Sequence, residues 1–289
     1  MTIEKSDRER ILNDVRPVSE IFFSKSEYHE RLLRLKHAME KAEIQTIFLS
    51  SPESIYYISG FRAEWYQAFG PKAWLPASGI AIHVNSEQFI HFEVENEQVL
   101  VGFTSISEDV RILPEAAQPM DGMKEFIVNE LDNAGWLNGT IGLEMASYRP
   151  NRAYSEAFQN SLECRGAKVV NASDIIDGIR RYKSPKEIEY TKEAARIADI
   201  GFKAALDFIK TGITELDVYG EVINAMAKAG GENPSITIPV SSGHKSSCMH
   251  ALASRKKINS GDFINIDLCG VYNRYHANMA RSLIMGEPS

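Results

Sequence analysis

Apolar positions in the first half of the chain alternate between helical spacing and short continuous runs. Tyr28, Leu32, Leu35 and Met39 recur every three to four residues. They follow Ser24-Lys25-Ser26-Glu27, a capping-box pattern in which the serine oxygen and the glutamate carboxylate reciprocally satisfy free amides, so a helix is predicted to open near Ser24. TIFLS (46–50) and TIGLEM (140–145) are apolar runs of the buried-strand kind. GIAIHVNSEQFIHF (79–92) reads as two strands around the turn Asn85-Ser86-Glu87. Helices fit 119–134 and 151–163, and AKVVNA (167–172) is a further strand. Helices that alternate with strands predict an α/β domain with a largely covered sheet. Residues 1–20 show no clear period and read as an arm.

A boundary is expected near residue 182. Ser184-Pro185-Lys186-Glu187 places Pro at the first helical position and Glu three after the cap, a strong helix start. Ile188, Ala195, Ala198, Phe202 and Ala205 form the apolar stripe expected to face inward. Thr214-Glu215-Leu216-Asp217 caps a second helix, which Gly230-Gly231 ends. Three strand-like pieces follow, at 235–243, 262–270 and 275–285. The predicted domains are 1–182, an α/β domain, and 183–289. Two helices and a hairpin are a thin basis for an independent core, so the second domain reads as cut short. No internal repeat is visible.

Composition narrows the function classes. A chain of 289 residues suits two domains, and 44% apolar with 25% charged residues is ordinary for a globular protein. Net charge is −7 without a basic block, which argues against nucleic acid as a partner. No run of 18 apolar residues exists, so no membrane span is expected, and the charged N-terminus does not read as a secretory signal. Cys164, Cys248 and Cys269 are odd in number and far apart, which fits neither a disulfide framework nor a CxxC knuckle. They are expected to be buried thiols in a cytoplasmic protein.

Candidate chemistry gathers in the second domain. Asp267 and Asn278 are eleven apart with Tyr272-Asn273 at the midpoint. A turn there would set them directly opposite each other on adjacent strands, about 4.5–5.5 Å apart at Cβ. Oxygen ligands so placed suit a hard cation, although an amide binds more weakly than a carboxylate. The alternative is a polar pair on a solvent-facing sheet. His250 lies in a polar stretch rich in small residues between two strands, and an imidazole moves protons near neutral pH. A lone histidine is more often a surface residue, and His244 and His276 carry the same two readings. Arg281 would hold a substrate carboxylate or pair with Asp267. Trp65, Tyr66, Phe69 and Trp74 form an aromatic cluster that lines a pocket or simply packs.

Several segments together resemble the creatinase, prolidase and aminopeptidase P family, with the "pita-bread" fold. KSPKEIEYTKEAARIADIG (183–201) is similar to the helix that opens its catalytic domain. Ser242-Gly243 with His250 seven residues on, Ser260-Gly261-Asp262, and Asp267…Asn278…Arg281-Ser282 resemble its SG…H, SGD and D…D-x-T-R-T segments. The EYHERLLRLKHAMEKAEI, SIYYISGF and TIGLE segments look like its N-terminal domain. The resemblance implies a creatinase-type N-terminal α/β domain, a partial pita-bread domain of α+β type, and a homodimer.

In the peptidase branch the resemblance implies two manganese or cobalt ions held by two Asp, one His and two Glu. Asp267 matches the first Asp, Asn278 replaces the second, and the remaining ligands would lie beyond residue 289. In the creatinase branch it implies no metal and a proton-shuttling histidine matched by His250. The branch's strand Asn is matched by Asp267. His276 and Ala280 stand at its guanidinium-holding Tyr and Glu, Phe69 matches a partner-subunit Phe, and Pro71 meets an Arg. Losing that carboxylate removes a charge-assisted bond of roughly 1.5–3 kcal/mol, which counts against creatine itself. The expected activity is hydrolysis of a C–N bond in a small amide, amidine or dipeptide, with His250 as general acid/base and Phe69, His276 and Arg281 at the substrate. The alternatives are a metal-dependent Xaa-Pro dipeptidase or aminopeptidase using Asp267 and Asn278, and a non-catalytic binding protein that retains the fold.

Overall fold

The computed structural model describes residues 19–63, 78–114, 120–147, 150–235, 237–248 and 250–287. The chain divides into two compact units, Met1–Tyr182 and Lys183–Ser289. In the first unit Ser24 caps α1 (Lys25–Lys41), its Oγ accepting from the Glu27 amide at 3.2 Å. There follow β1 (Thr46–Leu49), α2 (Pro52–Ser59), β2 (Gly79–His83), β3 (Ile90–Val94), α3 (Gln98–Thr104), β4 (Asp109–Leu113), α4 (Met120–Asn133), β5 (Thr140–Leu143), α5 (Arg152–Cys164), β6 (Lys168–Asn171) and α6 (Ser173–Arg181).

These strands form one mixed sheet in the order β4-β3-β2-β1-β5-β6. β1 runs parallel to β5 and antiparallel to β2. Its alternation divides the core. Ile47 and Leu49 join Leu35, Met39, Ile55, Ile80 and Ile176 on one face. Phe48 joins Ala81, Ile127, Leu131, Ile141 and Phe158 on the other. Helices thus cover both faces, which is why β1 and β5 read as continuous apolar runs rather than alternating ones. The expected α/β layering is what the first unit adopts. The short α2 and α3 and the half-buried β4 carry too little periodic signal to stand out in the sequence, whereas α6 is strongly amphipathic, with Ile175, Ile176 and Ile179 all packing on the core.

β3 buries a histidine. His91 is wholly inaccessible, its Nδ1 lies 2.7 Å from Ser107 Oγ, and burial lowers its pKa to about 3. The ring is therefore neutral, and its 4.0 Å approach to the Glu93 carboxylate is no ion pair.

In the second unit α7 (Pro185–Phe208) opens on the full reciprocal capping box between Ser184 and Glu187. Helix α8 (Glu215–Lys228) opens on a second one, between Thr214 and Asp217. Both belong to a layer over an antiparallel sheet β7 (Val240–Ser242), β8 (Phe263–Tyr272) and β9 (Tyr275–Ile284), in that order. Three expectations are corrected here. The inward stripe of α7 is Tyr190, Ala194, Ile197, Ala198, Gly201 and Ala205, while Ile188 is 44% exposed and Ala195 is also exposed. The small residues face inward because β8 approaches the helix backbone: a Cβ on Gly270 would lie 2.0 Å from the Ala194 carbonyl oxygen. The strand expected at 235–243 shrinks to 240–242, because Pro239 has no N–H to donate and offers its carbonyl to the Asp267 amide at 3.1 Å. Of the cysteines only Cys269 is buried. Cys164 ends α5 and Cys248 follows the turn after β7, and both are exposed and free. Among the described residues no helix is long and apolar enough to cross a membrane.

Two predictions follow from these contacts. Gly270→Ala drives a methyl into helix backbone that cannot rotate away, so it is expected to destabilise the second unit by about 3 kcal/mol or to prevent its folding. A urea midpoint equal to wild type contradicts this. As pH falls from 6.5 towards 3 the unfolded chain protonates His91 and the folded chain does not, so stability drops. Between pH 7 and 5 wild type is expected to lose about 2 kcal/mol more than His91→Asn, measured by urea unfolding at both pH values.

Candidate functional site

The hairpin sets the geometry of the second unit. Asn273 and Arg274 both take positive φ, 49° and 62°, and so form the two-residue mirror-image turn that matches strand twist. Arg274 holds this conformation through Glu232 Oε2, which accepts from its backbone amide and its Nη1, each at 3.1 Å. Tyr272 and Tyr275 then face each other, and the Tyr275 hydroxyl donates to Glu187 Oε1 at 2.7 Å. The turn thus lies one residue later than Tyr272-Asn273.

That shift changes every pairing. Asp267 lies opposite Ala280, and Asn278 lies opposite Cys269. The expected direct Asp267–Asn278 pair does not form. They remain diagonal neighbours on one face, a separation of roughly 7–8 Å. Strand alternation places Asn265, Asp267 and Cys269 of β8 on that face with His276, Asn278, Ala280 and Ser282 of β9. Arg281 pairs with Ile266 and so belongs to the opposite face. It is exposed, its Nη1 donates to the neighbouring Ala280 carbonyl at 2.8 Å, and the proposed ion pair with Asp267 is not made. His276 has both ring nitrogens engaged. Nδ1 meets the Arg274 carbonyl at 2.9 Å, so it carries the proton, and Nε2 meets Ser235 Oγ at 2.8 Å. Phe69, with Trp65, Tyr66 and Trp74, lies outside the described residues.

Asp267 is half-buried, and its Oδ1 is inaccessible with no hydrogen-bond partner among the described residues. Beside it Asn265 donates from Nδ2 to the Ser246 carbonyl at 2.7 Å and accepts from Ser282 Oγ at 2.7 Å. Ser246 belongs to the turn Gly243–Ser247, four residues before His250. Asn265 therefore ties the segment that carries His250 to the face that carries Asp267. His250 itself is exposed, as is His244.

A second anchor was not legible from spacing. Glu215, the first residue of α8, is completely buried. Its Oε1 accepts from the Ser242 amide and hydroxyl, each at 2.9 Å. Its Oε2 accepts from the Ser254 amide at 3.0 Å, the Ser254 hydroxyl at 2.8 Å and the Lys245 ammonium. Burial pushes this carboxyl up, but the bonds from Lys245, Ser254 and Ser242 outweigh it and hold it below its usual range. One carboxylate thus closes both ends of the loop bearing His250. Lys256 adds a strut between Ser242 Oγ at 2.9 Å and Asp262 Oδ2 at 2.8 Å. The signal that points to this anchor is the Ser- and Lys-rich composition of 241–256, whose buried donors need an acceptor.

Glu215→Gln turns an amide N–H₂ towards donors and leaves Lys245 uncompensated. It is expected to destabilise the second unit by about 3 kcal/mol and to speed amide exchange at Ser242 and Ser254, read by urea unfolding and hydrogen exchange. Unchanged exchange at those two amides would count against the anchor.

Comparison with known proteins fits this arrangement. Residues 31–182 match the creatinase/prolidase N-terminal domain, and residues 189–289 match metallopeptidase family M24. The chain is 27% identical over 260 residues to an Xaa-Pro dipeptidase of Pyrococcus furiosus, covering 90% of this chain and 66% of that protein. It is 25% identical over 275 residues to a creatinase of a Bacillus species, covering 92% and 62%. Among solved structures, an Xaa-Pro dipeptidase from Bacillus anthracis superposes with a TM-score of 0.74 at 25% identity, covering 91% of this chain and 66% of that one. The chain therefore spans just under two thirds of the length of such relatives. Its described residues hold no cluster of three His, Cys, Asp or Glu suited to a metal ion. One acid and one diagonal amide do not fit a two-metal centre, which needs several charged ligands. With a match over more than half its length, the chain belongs to the creatinase/prolidase family.

Proposed function

We propose that the chain takes part in hydrolysing a C–N bond in a small amide, amidine or dipeptide, with His250 as general acid/base. The observation that carries this reading is the 2.7 Å bond from Asn265 Nδ2 to the Ser246 carbonyl, which tethers the His250 segment to the strand face that bears Asp267. In it the imidazole takes a proton as water adds to the carbon and returns it to the departing nitrogen. Asp267 is half-buried, and its Oδ2, not the inaccessible Oδ1, accepts a hydrogen bond from an N–H of the substrate. His276 and Arg281 contribute to binding only by exchanging their present partners, and Phe69 enters through the family resemblance alone. A cytoplasmic homodimer is part of the same proposal, supported for compartment by the scattered free thiols.

A second reading, a metal-dependent Xaa-Pro dipeptidase, is favoured by the M24 match and by the names of the relatives. Asn278 counts against it, because a neutral amide binds a divalent ion more weakly than a carboxylate.

The full chain assayed on Xaa-Pro dipeptides and creatine, with manganese and with a chelator, separates the readings. Under the first, hydrolysis persists in chelator, and His250→Ala lowers turnover by about 10²–10⁴ with an unchanged circular dichroism spectrum. Full activity in that variant refutes it. Dipeptide cleavage that requires manganese selects the second reading. No hydrolysis by wild type under any condition favours a binding protein on the same fold.

A further inference from the structure

The turn between α4 and β5 carries the one Asn-Gly pair in the sequence, Asn138-Gly139. Both residues are exposed. The chain reaches them from the buried Leu137 and leaves them into Thr140, the first residue of β5. The pair is thus a short solvent-facing link between two fixed positions.

Asn138 is held by one long contact, Nδ2 to the Gly135 carbonyl at 3.4 Å, beyond the usual range of an amide hydrogen bond. The Gly139 amide donates to no protein group among the described residues, so its nitrogen is not committed as a helical amide would be. Gly139 also has no Cβ to shield that nitrogen, and its φ of 99° is open to glycine without steric cost. The glycine is required there, because a Cβ would lie 2.5 Å from Gln45 Oε1.

These conditions do not coincide at the other exposed asparagines that precede a small residue or sit near this turn. Asn85 precedes Ser86, whose amide donates to the His83 carbonyl at 3.1 Å. Asn259 precedes Ser260, which brings a Cβ beside the nitrogen. Asn129 lies inside α4, where the next amide belongs to the helix.

We infer that Asn138 is a site of spontaneous modification, deamidation through a succinimide, and that its isoaspartyl product loosens the start of β5. The Gly139 nitrogen loses its proton to hydroxide or a buffer base and bonds to Asn138 Cγ. The Cγ–Nδ2 bond breaks, and Nδ2 leaves as ammonia. Water then opens the ring. Cleavage between Cγ and the nitrogen leaves aspartate, whereas cleavage at the Asn138 backbone carbonyl leaves isoaspartate, with the chain running through Cγ and one atom longer. No group is oxidised or reduced. The extra atom falls just before two fixing bonds: the Thr140 amide donates to Gln45 Oε1 at 2.7 Å, and the Gly139 carbonyl accepts from the Lys168 amide at 3.0 Å. A longer link moves both out of register. The site lies within the first unit and is independent of the His250 chemistry.

Ageing the full chain at pH 7 and pH 9, followed by proteolysis and mass spectrometry, tests the inference. The peptide carrying residue 138 is expected to gain one mass unit and to split into two chromatographically distinct isomers, ahead of the peptides carrying Asn85, Asn129 and Asn259. Because the nitrogen must be deprotonated, the gain is expected to be at least about tenfold faster at pH 9 than at pH 7. Asn138→Gln, which would need a larger ring, is expected to stay unmodified while unfolding at the wild-type urea concentration. Hydrogen exchange in the aged chain is expected to quicken at Thr140 and Lys168. An intact Asn138 amide while Asn85 or Asn259 is lost, a rate that ignores pH, or a single product isomer overturns the assignment. Unchanged exchange at Thr140 and Lys168 in isoaspartyl-containing protein overturns the effect on β5.

Discussion

A carboxylate taken wholly out of water is unfavourable unless its lone pairs are met by donors, and Glu215 meets that condition in an unusual place. It sits in the first turn of α8, where the helix dipole already favours a negative charge. Its five donors come from Ser242, Lys245 and Ser254. Ser242 ends β7 and Ser254 lies beyond His250, so one side chain joins a strand end, a helix start and the loop between them. The loop has little apolar content of its own to hold it: of 243–256, only Met249 and Leu252 are large hydrophobic residues, and Leu252 is 59% exposed. Its conformation is therefore set by polar contacts that depend on Glu215 remaining charged.

The hairpin supplies the other fixed surface. Its register is decided by which two residues accept positive φ, not by the midpoint between the polar residues of interest. Asn273 is a natural occupant of such a turn, and Arg274 becomes one only because Glu232 holds both its amide and its guanidinium. The acid and amide thereby move from opposite to diagonal, and the strand's period of two carries Arg281 to the other face.

What the sequence disclosed follows the range of the physics involved. Caps at Ser24, Ser184 and Thr214 depend on residues three apart: the N-cap bond forms at all three, and the full reciprocal box at Ser184 and Thr214. Buried strands such as β1 and β5 announce themselves because both faces are covered by helices. Contacts between distant segments were not legible. The inward face of α7 follows from the close approach of Gly270, seventy-six residues after Ala194. Glu215 looks like any acid in a first helical turn until Ser242 and Ser254 are folded against it.

The mixed pair at 267 and 278 bears on what the open face of the hairpin can accept. Two carboxylates there would repel each other and would require a cation between them. With Asn278 in one position that repulsion is gone, and the charge of Asp267 stands alone with a buried oxygen unbonded. Asn265 makes no bond to it: one amide N–H goes to the Ser246 carbonyl, and the side-chain oxygen accepts from Ser282. Oδ1 is inaccessible, so a donor reaching this face from outside meets the carboxylate at Oδ2. A protonated amine or an amidine N–H supplies a charge-assisted bond, and a free carboxylate supplies only repulsion.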